Sequence, residues 1–201
     1  MRGRRSGWTL FEMVVVCALG GLVILISSQV MDSTLKVSSL ESQRNFCLCQ
    51  LQAYVAQIER DVQRSCAAGL AWSPASGNNS ALLSIHPQQN GALVGPVTWE
   101  QQWICYQWSR QTSQLFRARF PASGVQAPLD HPLSLPLADQ QMLVSQPPRG
   151  RCIGGSVSKL SFTLDPGALA HLVIEAEIRL PGRATPATLR VDHQSALRNR
   201  S

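Results

Sequence analysis

The sequence predicts an α+β protein in which one long N-terminal helix is followed by an antiparallel β-sheet. Residues 13–31 are apolar and uncharged, a helical spacing of apolar side chains continues beyond them, and short β-rich runs separated by turn residues fill the second half. A helix followed by a series of strands is an α+β plan. With 201 residues, 44% of them hydrophobic and 15% charged, the composition suits one globular domain plus an N-terminal segment.

The apolar stretch near the N-terminus predicts a transmembrane helix over residues 8–31. About 20 apolar residues in a helix span the hydrocarbon core of a bilayer. Arg2, Arg4 and Arg5 precede the stretch, and basic residues of this kind stay on the cytoplasmic side. We therefore expect a cytoplasmic N-terminus, an exported remainder of the chain and a helix in contact with membrane lipid.

The helix is predicted to continue past the membrane to about Ala68. Apolar side chains recur there at steps of three and four, at Cys47, Leu51, Tyr54, Ile58, Val62 and Cys66. Such a stripe is typical of a helix that packs on a globular domain, and Gly69 suits its end. The predicted divisions are a basic leader (1–7), the membrane helix (8–31), an amphipathic helical half (32–69) and a globular β domain (70–201).

Within the β domain the clearest pattern is a hairpin of residues 99–108 and 115–120 around a polar connection. The other predicted strands are residues 81–86, 157–164, 172–180 and 188–193, with Asp165-Pro166-Gly167 as a turn. Repeated prolines predict no regular structure over residues 121–150. The glycine-rich residues 150–155 are predicted to form a turn.

The net charge of +6 is concentrated at the N-terminus, where the leader arginines lie. The remainder of the chain is only mildly basic. The composition is compatible with a DNA partner but does not indicate one.

A carboxylate, Glu12, stands at the start of the apolar stretch and separates the candidate N-terminal signals. An ordinary cleaved signal peptide needs small residues after the apolar run, and residues 26–29 fit poorly. A lipoprotein signal would use Cys17, but Val16 precedes it. A twin-arginine signal would use Arg4 and Arg5, but the residues after them do not match. None of these three signals explains Glu12.

Residues 7–12, Gly-Trp-Thr-Leu-Phe-Glu, resemble the cleavage site of type IV prepilins. The resemblance implies that a prepilin peptidase cuts after Gly7, that Trp8 becomes the methylated first residue of the mature chain, and that the fold is pilin-like. It also implies a single-pass protein of the bacterial inner membrane with a periplasmic domain. Tryptophan departs from the usual phenylalanine at the first mature position.

The position of Glu12 has two explanations. An ionised carboxylate in hydrocarbon is costly, so it usually has a partner. By the resemblance, that partner is the cationic N-terminal amine of a neighbouring subunit, which would set the axial register during assembly. Alternatively, the side chain lies at the membrane interface and extends into water.

Six cysteines suit an oxidising compartment, and five of them lie outside the apolar segment. Cys66 is on the inward stripe at the helix end, so a disulfide to Cys105 or Cys152 would tie helix to sheet, and Cys66–Cys152 is the pair that we predict. The alternative is that these cysteines are small buried apolar residues. Cys47 and Cys49 point in different directions on a helix, so no metal site is predicted there.

No catalytic constellation emerges from the sequence, and neither an enzyme activity nor a cofactor is predicted. The four histidines are isolated, and solvated or packed roles are expected for them. The numerous tryptophans are expected in the core and at interfaces.

The segment from Ile104 to Arg117 is similar to the central hairpin of PilW-type minor pilins and of J-type pseudopilins of type II secretion, and Leu197-Arg198-Asn199-Arg200 is similar to the PilW-type ending. The resemblance implies a minor pilin or pseudopilin whose partners are prepilin peptidase, other minor subunits, the major pilin and the inner-membrane assembly platform. Two other functions stay open. One is a filament-tip module that binds DNA, a surface or a secreted substrate, and the other is a membrane-anchored periplasmic enzyme.

Overall fold

The computed structural model describes residues 9–77, 79–89, 97–121, 131–165, 169–178 and 186–197. Contacts divide the chain into two compact units, Met1–Asn45 and Phe46–Ser201. Helix α1 (Leu10–Val62) begins in the first unit and ends in the second. The predicted leader, with Gly7 and Trp8, lies outside the described residues.

The second unit contains two antiparallel sheets, each with its strands in sequence order. The five-stranded sheet consists of β1 (Leu70–Ser73), β2 (Ala81–Ile85), β3 (Gln102–Ser109), β4 (Gln114–Pro121) and β5 (Arg151–Gly154). The three-stranded sheet consists of β6 (Val157–Leu164), β7 (Leu169–Ile178) and β8 (Ala187–Ala196). A second helix, α2 (Leu137–Ser145), lies between β4 and β5 in the sequence. A long apolar helix with antiparallel sheets confirms the predicted α+β class.

The main core of the second unit is built on the apolar stripe of α1. Leu51, Val55, Ile58 and Val62 are at most 4% exposed, and they join one cluster with side chains from both sheets. Each such residue contributes about 1.5–3 kcal/mol by leaving water. The stripe predicted from the periodicity therefore holds the two sheets on one helix.

A second, smaller core covers the opposite face of the five-stranded sheet. Side chains alternate along a strand, so Leu83 and Ile85 face the main core while Leu82 joins the second cluster. Leu135 and Leu143, before and within α2, close this cluster. Because both faces are covered, β2 and β3 are buried at nearly every position.

Helix α1 ends at Val62, several residues before the predicted end near Ala68. The amides of Arg64 and Ser65 bond to Asp61 and Val62 in a tightened last turn. The Ser65 hydroxyl donates to the carbonyl oxygen of His86 at 2.7 Å. This bond holds Ser65 against the residue that follows β2, and the helix does not continue there. A short 3₁₀ helix (Ala67–Gly69) follows.

The hairpin of β3 and β4 confirms the strongest strand prediction, and β2, β6, β7 and β8 occur close to their predicted positions. Three other expectations were wrong. Residues 70–73 and 151–154 form the short strands β1 and β5, where a loop and a turn were expected. Residues 137–145 form α2 within the proline-rich segment. This helix fits between Pro136, at its N-cap, and the prolines that follow it, where proline is tolerated.

Residues 166–168 of the predicted Asp165-Pro166-Gly167 turn lie outside the described residues, as do residues 198–201 of the predicted PilW-type ending.

Candidate functional site: the capped start of the apolar helix

The first turn of α1 forms a reciprocal cap between Thr9 and Glu12. The backbone amide of Thr9 donates to Glu12 Oε2 at 2.8 Å, and the Thr9 hydroxyl donates to the same oxygen at 3.0 Å. The amide of Glu12 in turn donates to Thr9 Oγ1 at 3.3 Å. This is a capping box, in which the first and fourth residues satisfy each other's free amides at a helix N-terminus.

The cap gives Glu12 a role within its own helix that the sequence reasoning missed. The signal was present, because Thr-x-x-Glu before an apolar run is the pattern of a capping box. The two polar contacts of the carboxylate both fall on Oε2. Within the described residues, Oε1 has no hydrogen-bond partner and remains able to accept from a cation.

The helix that follows the cap is apolar and exposed. Leu10 and Ile24 are 85% and 71% exposed, and the most apolar window of the helix is 0% buried. The helix is long and apolar enough to cross a membrane. No other described segment packs against this half of the helix.

Gly20 and Gly21 lie in the middle of this apolar half. A side chain at either position would meet no atom within 4 Å. Their lack of a side chain is therefore not required by any contact within the described chain.

The other end of α1 is fixed to the five-stranded sheet by a buried polar group. The Tyr106 hydroxyl donates to Asp61 Oδ2 at 2.5 Å, and Arg117 Nε donates to the same oxygen at 2.9 Å. Burial, followed by the bond and charge of Asp61, raises the pKa of Tyr106. Burial lowers the pKa of Arg117, but Asp61 outweighs it and the net pKa is raised. A charged carboxylate thus joins helix to hairpin.

Asp61 was not identified from the sequence. Asp61 follows Ile58 by three positions and so lies on the apolar stripe. This position is the one feature of the local sequence that points to a buried carboxylate. Its partner Arg117 is 56 positions away, and no spacing rule connects them.

His86 is packed and hydrogen-bonded within the fold. His86 is fully buried and stacks on Trp103 with the ring centroids 4.4 Å apart. Its Nδ1 accepts from the Leu133 amide at 3.0 Å, and Nε2 lies 2.6 Å from the carbonyl oxygen of Glu100. This pattern requires the neutral imidazole with its proton on Nε2. Burial lowers the pKa of His86.

The expectation that tryptophans serve the core is confirmed for Trp99, Trp103 and Trp108, which are at most 5% exposed. Trp72 is half-buried, and its ring centroid lies 6.3 Å from that of Phe162. His171 pairs with Asp192 on β8, and His193 Nε2 lies 3.1 Å from Glu59. Among the described residues, no group of three or more His, Cys, Asp or Glu side chains is placed to hold a metal ion.

Cys66 and Cys152 are both free thiols in the structure, which therefore does not contain the predicted Cys66–Cys152 disulfide. Cys66 is buried in the second core with Trp103 and Cys105. Cys152 is exposed on the edge strand β5. The pairing was inferred from the position of Cys66 at the helix end, whereas Gly154 of β5 lies against an earlier turn of the helix, at Tyr54.

Comparisons of the chain with protein-family models, with curated proteins and with solved structures find no match.

Proposed function

We propose that the chain is a minor pilin or pseudopilin, a membrane-inserted precursor that is processed by prepilin peptidase and takes part in the assembly of a type IV pilus-like filament. The observation that carries this proposal is an apolar helix, exposed along its whole first half, that begins at Leu10, within the prepilin-like residues 7–12. Such a helix needs lipid before assembly and other subunits afterwards. The chain would act through contacts and would catalyse no reaction.

The geometry of Glu12 is compatible with both stages of this proposal. In the single chain the carboxylate is engaged by its own helix through Oε2. After cleavage behind Gly7, the freed amine of an adjoining subunit would approach Oε1, which has no hydrogen-bond partner among the described residues. The attraction between an amine and a carboxylate is stronger in an apolar environment than in water. The cap and the intersubunit pair therefore do not compete for the same oxygen.

Identification of the mature N-terminus tests the processing step. The full chain is expressed in a bacterial host with and without prepilin peptidase, and the product is analysed by N-terminal sequencing and intact mass. We expect a product that begins at Trp8 only when the peptidase is present. An uncut chain, or a cut near Ser28, would contradict the proposal.

A matched pair of leader variants makes the test specific. Gly7→Val places a branched side chain at the cleavage position, and Gly3→Val makes the same change elsewhere in the leader. We expect at least about a tenfold loss of processing for the first variant, equivalent to about 1.4 kcal/mol, and wild-type processing for the second. Equal processing of both would exclude cleavage after Gly7.

Cleavage alone does not separate a pilus subunit from a type II secretion pseudopilin or a tip-binding subunit. Purification of the processed chain from its own membrane, followed by identification of the co-purified subunits, makes this distinction. Pilus minor subunits and the major pilin would support the first function, and secretion pseudopilins would support the second.

A further inference from the structure

Strand β6, at one edge of the three-stranded sheet, borders a groove of about 450 Å³, which we call the β6 groove. All six residues of 158–163 line this groove. Successive side chains of a strand point to opposite faces of its sheet, so a groove lined by six consecutive residues runs along the backbone edge of the strand. The other side of the groove is lined by Trp72, Pro74, Ala75, Trp108 and Arg110.

The backbone of β6 is open along the groove. The strand pairs with β7 on one side only. At the start of β6, the amide of Val157 donates to the Ser113 carbonyl, and the Val157 carbonyl accepts from Trp108 Nε1, both at 2.9 Å. Beyond Val157, no described residue outside β7 bonds to the backbone of residues 158–163. Alternate residues of an antiparallel strand direct their N–H and C=O groups away from the neighbouring strand, so about three residues of β6 offer these groups to the groove.

Aromatic side chains supply apolar surface in the β6 groove. The rings of Trp72 and Phe162 have their centroids 6.3 Å apart. Phe162 and Trp108 are 4% and 5% exposed, whereas Trp72 is half-buried. The accessible part of Trp72 is therefore apolar surface that a side chain of a bound strand would cover.

The charge of the β6 groove is positive. Arg110 and Lys159 line it, and none of its described lining residues is acidic. Arg110 is exposed and has no hydrogen-bond or ion-pair partner among the described residues. Lys159 lies 3.7 Å from Glu175, which is a long ion pair, and the lysine side chain remains 57% exposed. The groove thus favours a partner that carries negative charge.

We propose that β6 binds an extended acidic segment of another protein, which adds to the three-stranded sheet as a further strand. Backbone hydrogen bonds supply affinity in this mode of binding, and alternate side chains supply specificity. Lys159 and Phe162 lie on opposite faces of the sheet, because an odd number of positions separates them. A strand that alternates acidic and apolar residues therefore fits the groove on both faces. This inference concerns the second unit and does not depend on the proposed filament function.

The test measures binding of a labelled peptide to the purified full chain in nonionic detergent by fluorescence anisotropy. The probe is a blocked seven-residue peptide in which glutamate alternates with valine. One control peptide has lysine in place of glutamate, and the other keeps the glutamates but has proline at a central valine, which removes a backbone donor. We expect saturable binding of the probe and at least about tenfold weaker binding of both controls, since like charges and a lost ladder bond each oppose pairing.

Equal binding of the lysine peptide and the probe would overturn the proposed charge preference. Equal binding of the proline peptide would overturn strand pairing. Because the lysine peptide contains the same valines as the probe, it also controls for partition of the peptide into detergent micelles.

A matched pair of charge-reversal variants tests the groove itself. We expect Arg110→Glu to weaken probe binding by at least about threefold, the scale of an exposed ion pair, and to strengthen binding of the lysine peptide. Arg149→Glu reverses an exposed charge outside the groove and should change neither. Unchanged binding by Arg110→Glu, or equal effects of the two variants, would overturn the proposal. Tryptophan fluorescence verifies that each variant is folded.

Amide hydrogen exchange locates the bound probe. We expect slower exchange in residues 158–163 and no change in β8, the other edge of the same sheet. Slower exchange in β8 or β5 without a change in β6 would overturn the proposal. So would protection of residues 158–163 that increases with protein concentration and does not respond to the probe, because the occupant of the groove would then be a second copy of the chain.

Discussion

The two halves of α1 have the same secondary structure but opposite surroundings. In the first half, Leu10 and Ile24 are 85% and 71% exposed, whereas Leu51 and Ile58 in the second half are 2% and 1% exposed. The second half is stabilised by the sheets of its own chain. The first half has no such partner among the described residues, so its apolar surface stays exposed in the single chain. The comparison separates the half of α1 that is packed within its own unit from the half whose apolar surface stays exposed.

The largest expected effect comes from one substitution made in each half. Ile58→Ala removes a fully buried side chain from the main core and should lower the free energy of unfolding of the second unit by about 2–5 kcal/mol. Ile24→Ala makes the same chemical change on the exposed half and should alter that free energy by less than about 0.5 kcal/mol. Urea denaturation of the full chain in detergent, followed by tryptophan fluorescence, measures both.

Equal losses for the two isoleucine variants would contradict the division of α1 into a packed half and an exposed half.

The next effect in size concerns the polar link between α1 and the hairpin. Asp61→Asn removes the charge that pairs with Arg117 and should cost about 2 kcal/mol, since hydrogen bonds to charged groups contribute about 1.5–3 kcal/mol. The Arg117 side chain is 26% exposed, so water compensates part of the loss. The same denaturation experiment measures the cost.

A double-mutant cycle with Arg117→Met shows whether the link is a pairwise one. Because the lone arginine is no longer left without its partner, the double variant should lose less than the sum of the two single variants. Strict additivity would show that Asp61 and Arg117 act independently.

The smallest expected effect is a pH dependence of the free energy of unfolding. It arises from His86, which stacks on Trp103 of the second core. Burial lowers the pKa of folded His86, so the neutral imidazole stabilises the fold. This contribution is complete above the ordinary pKa of about 6.5 and is lost as the pH falls toward the folded value, by at most about 1.4 kcal/mol per pH unit. The surrounding groups are the Glu100 carbonyl, the Leu133 amide and the nearby charge of His131.

The measurement is the free energy of unfolding at several pH values between about 6.5 and 5. His86→Gln should be less stable at neutral pH but should have a weaker pH slope than the wild type in this window. Identical slopes would remove His86 as the cause.

Much of the fold follows from local patterns, because its largest elements carry strong periodicity. The apolar stripe at Leu51 and Ile58 and the β-rich runs of the β3–β4 hairpin are visible in the sequence and are present in the structure. The short strands β1 and β5 were missed because four residues carry little periodicity. Helix α2 was missed because its flanking prolines dominated the composition of the segment.

Sites made of distant residues were the least predictable. The Asp61–Arg117 pair depends on a register between helix and hairpin that only the packed structure defines. The same is true of the contact between Tyr54 and Gly154. The Thr9–Glu12 cap is different, since its pattern is local and could have been recognised.

The most direct test separates the proposed intersubunit role of Glu12 from its observed role as a helix cap. Glu12→Gln removes the charge but keeps the capping box, in which glutamine also serves. Thr9→Ala removes the hydroxyl of the cap but keeps the charge. The measurement is the amount of processed chain that co-purifies with its partner subunits, divided by the amount of processed chain in the membrane. The account predicts at least about a tenfold loss for Glu12→Gln, the scale expected when one member of a desolvated ion pair is removed, and near wild-type incorporation for Thr9→Ala. Wild-type incorporation of Glu12→Gln together with a loss for Thr9→Ala would contradict it and would leave Glu12 as a helix cap alone.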